Sequence, residues 1–200
     1  MPLMREFFQE LDGLWKPTGP GKIRLPIIGA TALLLQTSYE RATKDSDVLE
    51  TGEMDEAVRA QLENLAGEGS RLHQRRGIYI EVVASGIPFL PMDPQWVRIV
   101  ELSALLRHFD VDALHVEDVV VSKLSCFHTN DQRDVEAMVN LDLVHHERLA
   151  ERIRSVIQAN EMQARFADAL PRIVKNFNRV ERDFFGEAET HFEIPSSIDY

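Results

Sequence analysis

The chain has 200 residues, 44% of them hydrophobic and 28% charged, with 10 glycines, 9 prolines and one cysteine, a profile that excludes disordered and fibrous chains and fits one globular domain or a domain with a small appendage. A net charge of −11, from 22 basic against 33 acidic side chains, repels polyanions at long range and speaks against nonspecific coating of nucleic acid. A single cysteine excludes an internal disulfide, and at this length folding should bury about 70% of the unfolded chain's surface without metal or disulfide staples.

In chain order, Leu3, Phe7, Phe8, Leu11 and Leu14 recur at helical spacing and predict an amphipathic helix that Pro17, Gly19, Pro20 and Gly21 end. Residues 1–14 lack the charged n-region, apolar h-region and small-residue cleavage site of a secretory leader, so the expected location is cytoplasmic. The longest apolar run, residues 25–35, is broken by Pro26 and Gly29 and is too short for a membrane span, so no membrane association is expected. Residues 25–28 read as a short buried strand, Gly29 as a turn, and Ala30 to Leu35 as the helix that follows. Across 42–49, Thr43, Asp45 and Asp47 recur every second residue, so a strand projects all three on one face.

Glu53 to Leu65 reads as an amphipathic helix ending at Gly67, and Arg71 to Arg76 as a basic connector. Ile78 to Val83 is β-branched and aromatic, the pattern of a buried strand, with Glu81 in its middle. Pro88, Pro91 and Pro94 make 87–95 a constrained loop, which Trp96 and the Phe89-Leu90 pair are expected to pack. A further short strand is read at 111–116. Helices follow over 116–127, 130–141, 147–159 and 161–170, with Pro171 at the first turn of another and a loosely packed acidic tail over 181–200.

Two carboxylates on one strand face suit a divalent metal, because Mg²⁺ prefers hard oxygen ligands and is commonly held by one or two carboxylates plus substrate phosphates. A third carboxylate on a neighbouring strand, for which Glu81 is the candidate, would complete a two-metal arrangement. Backbone N–H groups at the start of the Ala30 helix would face phosphate oxygens, aided by the helix dipole. Lys22 with Arg24, Arg41 with Lys44, and the Arg71, His73, Arg75, Arg76 cluster are local basic patches that could meet phosphate. Adjacent His145 and His146 do not share a helix face and make a poor metal pair, and Cys126 near His128 reads as a small buried hydrophobe.

Leu25-Pro26-Ile27-Ile28-Gly29-Ala30-Thr31-Ala32-Leu33, followed by Arg41-Ala42-Thr43-Lys44-Asp45-Ser46-Asp47-Val48-Leu49, resembles the signature of the polymerase-beta-like nucleotidyltransferase superfamily, in particular its small bacterial branch related to the AbiEii-type toxins. Val116 to Leu124, with Lys123, and then Gln132-Arg133-Asp134-Val135-Glu136-Ala137-Met138 look like the second motif of that branch. The resemblance implies an α+β nucleotidyltransferase fold, a small mixed sheet flanked by helices, with residues 1–115 as the core and a helical region over 116–200 closing a cleft. It implies that Asp45 and Asp47 bind Mg²⁺; Glu81 as third ligand rests on the strand reading, since the family's sequence varies around that position. Gly29, Ala30, Thr31, Arg41 and Lys44 would approach the nucleotide. Lys123 would neutralise phosphate charge, and Asp134 would orient that lysine or act as base.

The expected reaction is transfer of a nucleotidyl group from a nucleoside triphosphate to an unknown hydroxyl acceptor, in a tRNA or a protein, with an antitoxin-like partner. Ala30 departs from the family, which often has serine there; alanine offers phosphate only its backbone N–H, and Thr31 is the residue that could substitute. That departure and the acidic surface keep a second reading open, a catalytically silent nucleotidyltransferase fold used as a binding or regulatory module.

Overall fold

The computed structural model describes residues 2–17, 19–52, 54–86, 88–160 and 169–193. The helix expected over 161–170 lies almost wholly outside the described residues, and so does the end of the tail, 194–200. The chain divides into two compact units, residues 1–87 with 96–115, and residues 88–95 with 116–200. Among the described residues no helix is long and apolar enough to cross a membrane.

The first unit is a five-stranded mixed sheet with helices. Its elements in order are α1 (Pro2–Leu14), β1 (Ile23–Ile27), α2 (Gly29–Gln36), β2 (Asp45–Leu49), α3 (Glu56–Ala66), α4 (Arg71–Arg76), β3 (Tyr79–Val83), β4 (Trp96–Arg98), α5 (Val100–Leu105) and β5 (Phe109–Leu114). The strand order is β3-β2-β1-β5-β4. β1 runs antiparallel to β2 and parallel to β5, β2 runs parallel to β3, and β4 antiparallel to β5.

Register and the two-residue alternation sort the side chains into two unlike faces. Ile27 lies opposite Val48, so one face carries Leu25, Ile27, Val48, Ile80, Phe109, Val111 and Ala113, all fully or almost fully buried. The other face carries Asp45, Asp47, Tyr79, Glu81, Arg24, Asp110, Asp112 and Arg98. On it the Asp112 carboxylate is buried between the guanidinium groups of Arg24 and Arg98. On α1, Phe7, Phe8 and Leu11 are fully buried, while Leu3 and Leu14, read as part of the same stripe, stand exposed at the helix ends. Asp12 accepts from the backbone N–H groups of Arg107 (2.9 Å) and His108 (2.7 Å), tying α1 to the approach to β5.

Several expectations are corrected here. The basic connector is helix α4, capped by the Ser70 hydroxyl, which accepts from the His73 N–H, and closed by Gly77 in a left-handed conformation. Arg75 and Arg76 pair with Glu6 and Glu10 of α1 rather than standing free for phosphate. Lys22 and Arg24 are likewise engaged, with Asp110 and Asp112. β3 is an edge strand and not a buried one, and Glu81 is exposed on it. Trp96 opens strand β4, with the Arg24 guanidinium 5.2 Å from its ring centroid, instead of packing the proline loop.

The second unit contains α6 (Val116–Lys123), α7 (Thr129–Asn140), α8 (His146–Asn160) and α9 (Ala169–Val180), which runs into a π-helical turn at Glu181–Phe185. The α6 helix stops four residues short of the expected Phe127: its end tightens into i→i−3 turns at Leu124 and Ser125, and Phe127 takes a positive φ of 54° with its ring buried. Asp118 is fully buried, and both its oxygens accept from Arg152 at 2.6 Å. It also accepts from the Gln95 N–H at 2.8 Å, and Arg152 donates to the Asp93 carbonyl at 2.8 Å. This one ion pair therefore anchors the proline loop to two helices. The acidic tail is not loose at its start, since Glu181 is fully buried and accepts from the Thr190 N–H at 2.9 Å beside His146 at 2.7 Å.

Two stability outcomes follow. Asp118→Ala leaves the Arg152 charge without its buried counterion and should cost about 3–5 kcal/mol by chemical denaturation. Ser46, fully buried on the apolar face, has no hydrogen-bond partner among the described residues, so Ser46→Ala should raise stability by about 1 kcal/mol. A loss of similar size would mean that the hydroxyl is satisfied.

Candidate functional site

The carboxylate site belongs to the first unit and grows from the turn between β1 and α2. Gly29 has φ +65°, a conformation that costs any residue with a Cβ. A Cβ built there would also overlap Oδ2 of Asp47. The left-handed backbone selects glycine, and the close approach shows the Asp47 carboxylate lying directly against the start of α2, where, as the end of a side chain, it could turn aside from an added methyl group. The Ile28 N–H donates to the Asp47 carbonyl at 2.9 Å, and the Thr31 hydroxyl to the Asp45 carbonyl at 2.9 Å. The helix start therefore grips β2 at both aspartates.

Asp45 and Asp47 are half-buried on the same face. The Asp45 carboxylate accepts from the Thr43 hydroxyl at 2.7 Å. On β3, Tyr79 lies in register with Asp45 and Glu81 with Asp47, so three carboxylates and one phenol share a patch two strands wide. Burial first, and then the charges of Asp45, Glu68, Glu81 and Asp47, push the Tyr79 phenol above its ordinary value, a sign of the patch's negative field. Among the described residues, no three histidine, cysteine or carboxylate side chains are gathered closely enough to cage a metal ion as they stand.

The other expected residues fall in different places. Thr31 is 1% exposed and its hydroxyl is engaged with Asp45, so it acts as a clamp between α2 and β2 instead of replacing the missing serine. Ala30 is buried at the α2 start, where Ile28 supplies no side-chain cap. Arg41 and Lys44 line a cavity of about 530 Å³ together with Tyr39, Thr43 and the apolar Leu34 and Ile78. The Arg41 guanidinium donates to the Ala42 carbonyl at 3.0 Å.

Lys123 and Asp134 belong to the second unit, where they meet at 2.9 Å. Sequence reasoning missed Asp131, whose carboxylate takes the same ammonium at 2.9 Å while accepting from the His128 N–H at 3.0 Å. The three-residue spacing of a capping box is the signal that could have found it. With Asp134 fully buried and the Lys123 side chain 9% exposed, this lysine does not snorkel to solvent; it is held in a carboxylate pair.

Gly29→Ala should cost about 1–3 kcal/mol from the backbone conformation alone, with Asp47 displaced in addition. Gly13 on α1 meets nothing within 4 Å, and Gly13→Ala should instead stabilise by about 0.5 kcal/mol. Denaturation midpoints of the two variants check the contrast, and equal effects would remove the steric argument.

A family model described as a nucleotidyltransferase of unknown function (DUF6036) matches residues 4–183. No curated protein and no solved structure matches the chain. The match extends over both units and contains the Gly29 turn, the Asp45-Ser46-Asp47 strand and the Lys123–Asp134 pair, and the chain belongs to this nucleotidyltransferase family.

Proposed function

We propose that the protein is a Mg²⁺-dependent nucleotidyltransferase that moves a nucleotidyl group from a nucleoside triphosphate to a hydroxyl. The observation that carries this reading is the placement of Asp45, Asp47 and Glu81 on one sheet face, with Asp47 pressed against the Gly29 turn. The donor set fits the metal, being all carboxylate oxygen. Mg²⁺ keeps several waters and takes one or two carboxylates plus substrate phosphates, so an open pair suits it better than a closed cage. Asp45 and Asp47 would hold the ion, with Glu81 beside them. Bound there, the metal supplies charge neutralisation and activation of the attacking oxygen.

The chain's own residues do the rest. The backbone N–H groups at the start of α2 present donors and the positive helix end to phosphate oxygens. Gly29 admits that approach because it carries no side chain. Thr43 fixes the Asp45 carboxylate, and Thr31 fixes the strand. In the second unit the 2.9 Å contact supports an orienting role of Asp134 toward Lys123, and the lysine's charge suits phosphate. The proposal includes the relation to AbiEii-type toxins, a tRNA or protein acceptor and an antitoxin-like partner. Ala30, which offers phosphate only its backbone N–H, and the net charge of −11 favour the second reading, a silent binding module.

Thermal shift with each nucleoside triphosphate, with and without Mg²⁺, separates the two. A bound nucleotide at a hundredfold excess over Kd adds about 2.7 kcal/mol of stability, and the shift should need the metal. Asp45→Asn and Asp47→Asn, made singly, should abolish both that metal-dependent shift and transfer of α-labelled nucleotide, while leaving the metal-free fold as stable or more so through relief of like-charge repulsion. Variants that lose stability yet keep parental labelling would make the aspartates structural.

A further inference from the structure

We infer that Tyr79 is an internal acceptor: the enzyme transfers a nucleotidyl group onto its own Tyr79 hydroxyl. This rests on the nucleotidyltransferase reading and names one acceptor for it. The hydroxyls near the aspartates can be taken in turn. Thr31 donates to the Asp45 carbonyl, and Thr43 to the Asp45 carboxylate. Ser46 lies between the aspartates but alternates to the opposite, buried face. Tyr79 remains, in register with Asp45 and on the same face as Asp45, Asp47 and Glu81. Neighbouring strands lie about 4.8 Å apart, so the phenol sits one strand from the carboxylates.

Its setting suits an acceptor. β3 is an edge strand, and Tyr79 is only half-buried. The ring is braced by the His73 imidazole, with centroids 5.0 Å apart. That imidazole is itself fixed, because its Nδ1 accepts from the Gly69 N–H at 2.8 Å. Among the described residues the Tyr79 hydroxyl has no hydrogen-bond partner, as fits a phenol on the open edge of the sheet. The ring is thus held while the oxygen is left available.

In the step, the Tyr79 oxygen attacks the α-phosphorus of a nucleoside triphosphate. The new O–P bond forms as the bond from the α-phosphorus to the bridging oxygen breaks, pyrophosphate leaves with that electron pair, and the phenolic proton passes to water. The product is a tyrosyl nucleotide phosphodiester on the sheet face, where it would occupy the site.

The test incubates the purified full chain with each nucleoside triphosphate and Mg²⁺, followed by intact-mass measurement and peptide mapping, with thermal shift on the same samples. The expected result is a gain of one nucleoside monophosphate less one water, on the tryptic peptide 77–98, in which Tyr79 is the single tyrosine. Tyr79→Phe and Asp45→Asn should each abolish the adduct. A nucleotide that shifts the melting point without forming an adduct overturns the inference and leaves the transferase reading standing. An adduct on another residue, or one retained in Tyr79→Phe, overturns it as well. Absence of any shift with every nucleotide overturns both.

Discussion

The candidate site depends on the left-handed turn at Gly29, where the Asp47 carboxylate fills the space that a side chain would need. Because residue 29 carries no Cβ, the chain can leave β1, turn through a left-handed conformation and start α2 directly over the aspartate strand. Main-chain and hydroxyl bonds from Ile28 and Thr31 then fix the strand from the helix side. A larger residue would force either the helix start or the carboxylate to move. The left-handed turn at Gly29 is therefore what sets the start of α2 beside the Asp47 carboxylate.

The sheet supports this by giving its two faces different work. One face is apolar and buried, which sets the register, since a slip by one residue would bury Asp45 and Asp47 and expose Val48. The opposite face is free to carry charge. Its β2–β3 half holds three carboxylates, while on its other half Arg24 and Arg98 flank Asp112 and neutralise it. The second unit uses the same logic in its interior, where Asp118 and Arg152, and Lys123 with Asp131 and Asp134, satisfy buried charge by pairing.

The core of this arrangement was legible because its signals are local. Alternation at 45 and 47 marked the face, although Thr43, read with them, lies before the strand, which begins at Asp45; Gly29 marked the turn, and the helical periodicities of α1, α3, α7 and α8 marked the helices near their true limits. What stayed hidden depended on distant partners. The edge position of β3, which exposes Glu81, follows from strand order and not from its β-branched sequence. The three-residue β4 is too short to show a period, so Trp96 read as a loop residue. Arg75 and Arg76 looked like a phosphate patch because Glu6 and Glu10, which neutralise them, lie some seventy positions earlier. Thr31 looked like a substitute for serine until its hydroxyl was seen to face the Asp45 carbonyl.

The pairing of β1 with β5 has a further consequence, for the order of folding. Arg24 and Asp112 meet across 88 positions, so the central strand cannot gain its second neighbour until nearly the whole first unit has been synthesised. Closing so long a loop is entropically slow compared with forming the local helices. Until then β1 can ladder only with β2, and the backbone N–H and C=O groups of its other edge stay open to other chains. The nascent protein thus passes through an interval in which the strand leading to its most constrained turn is also its most adhesive segment.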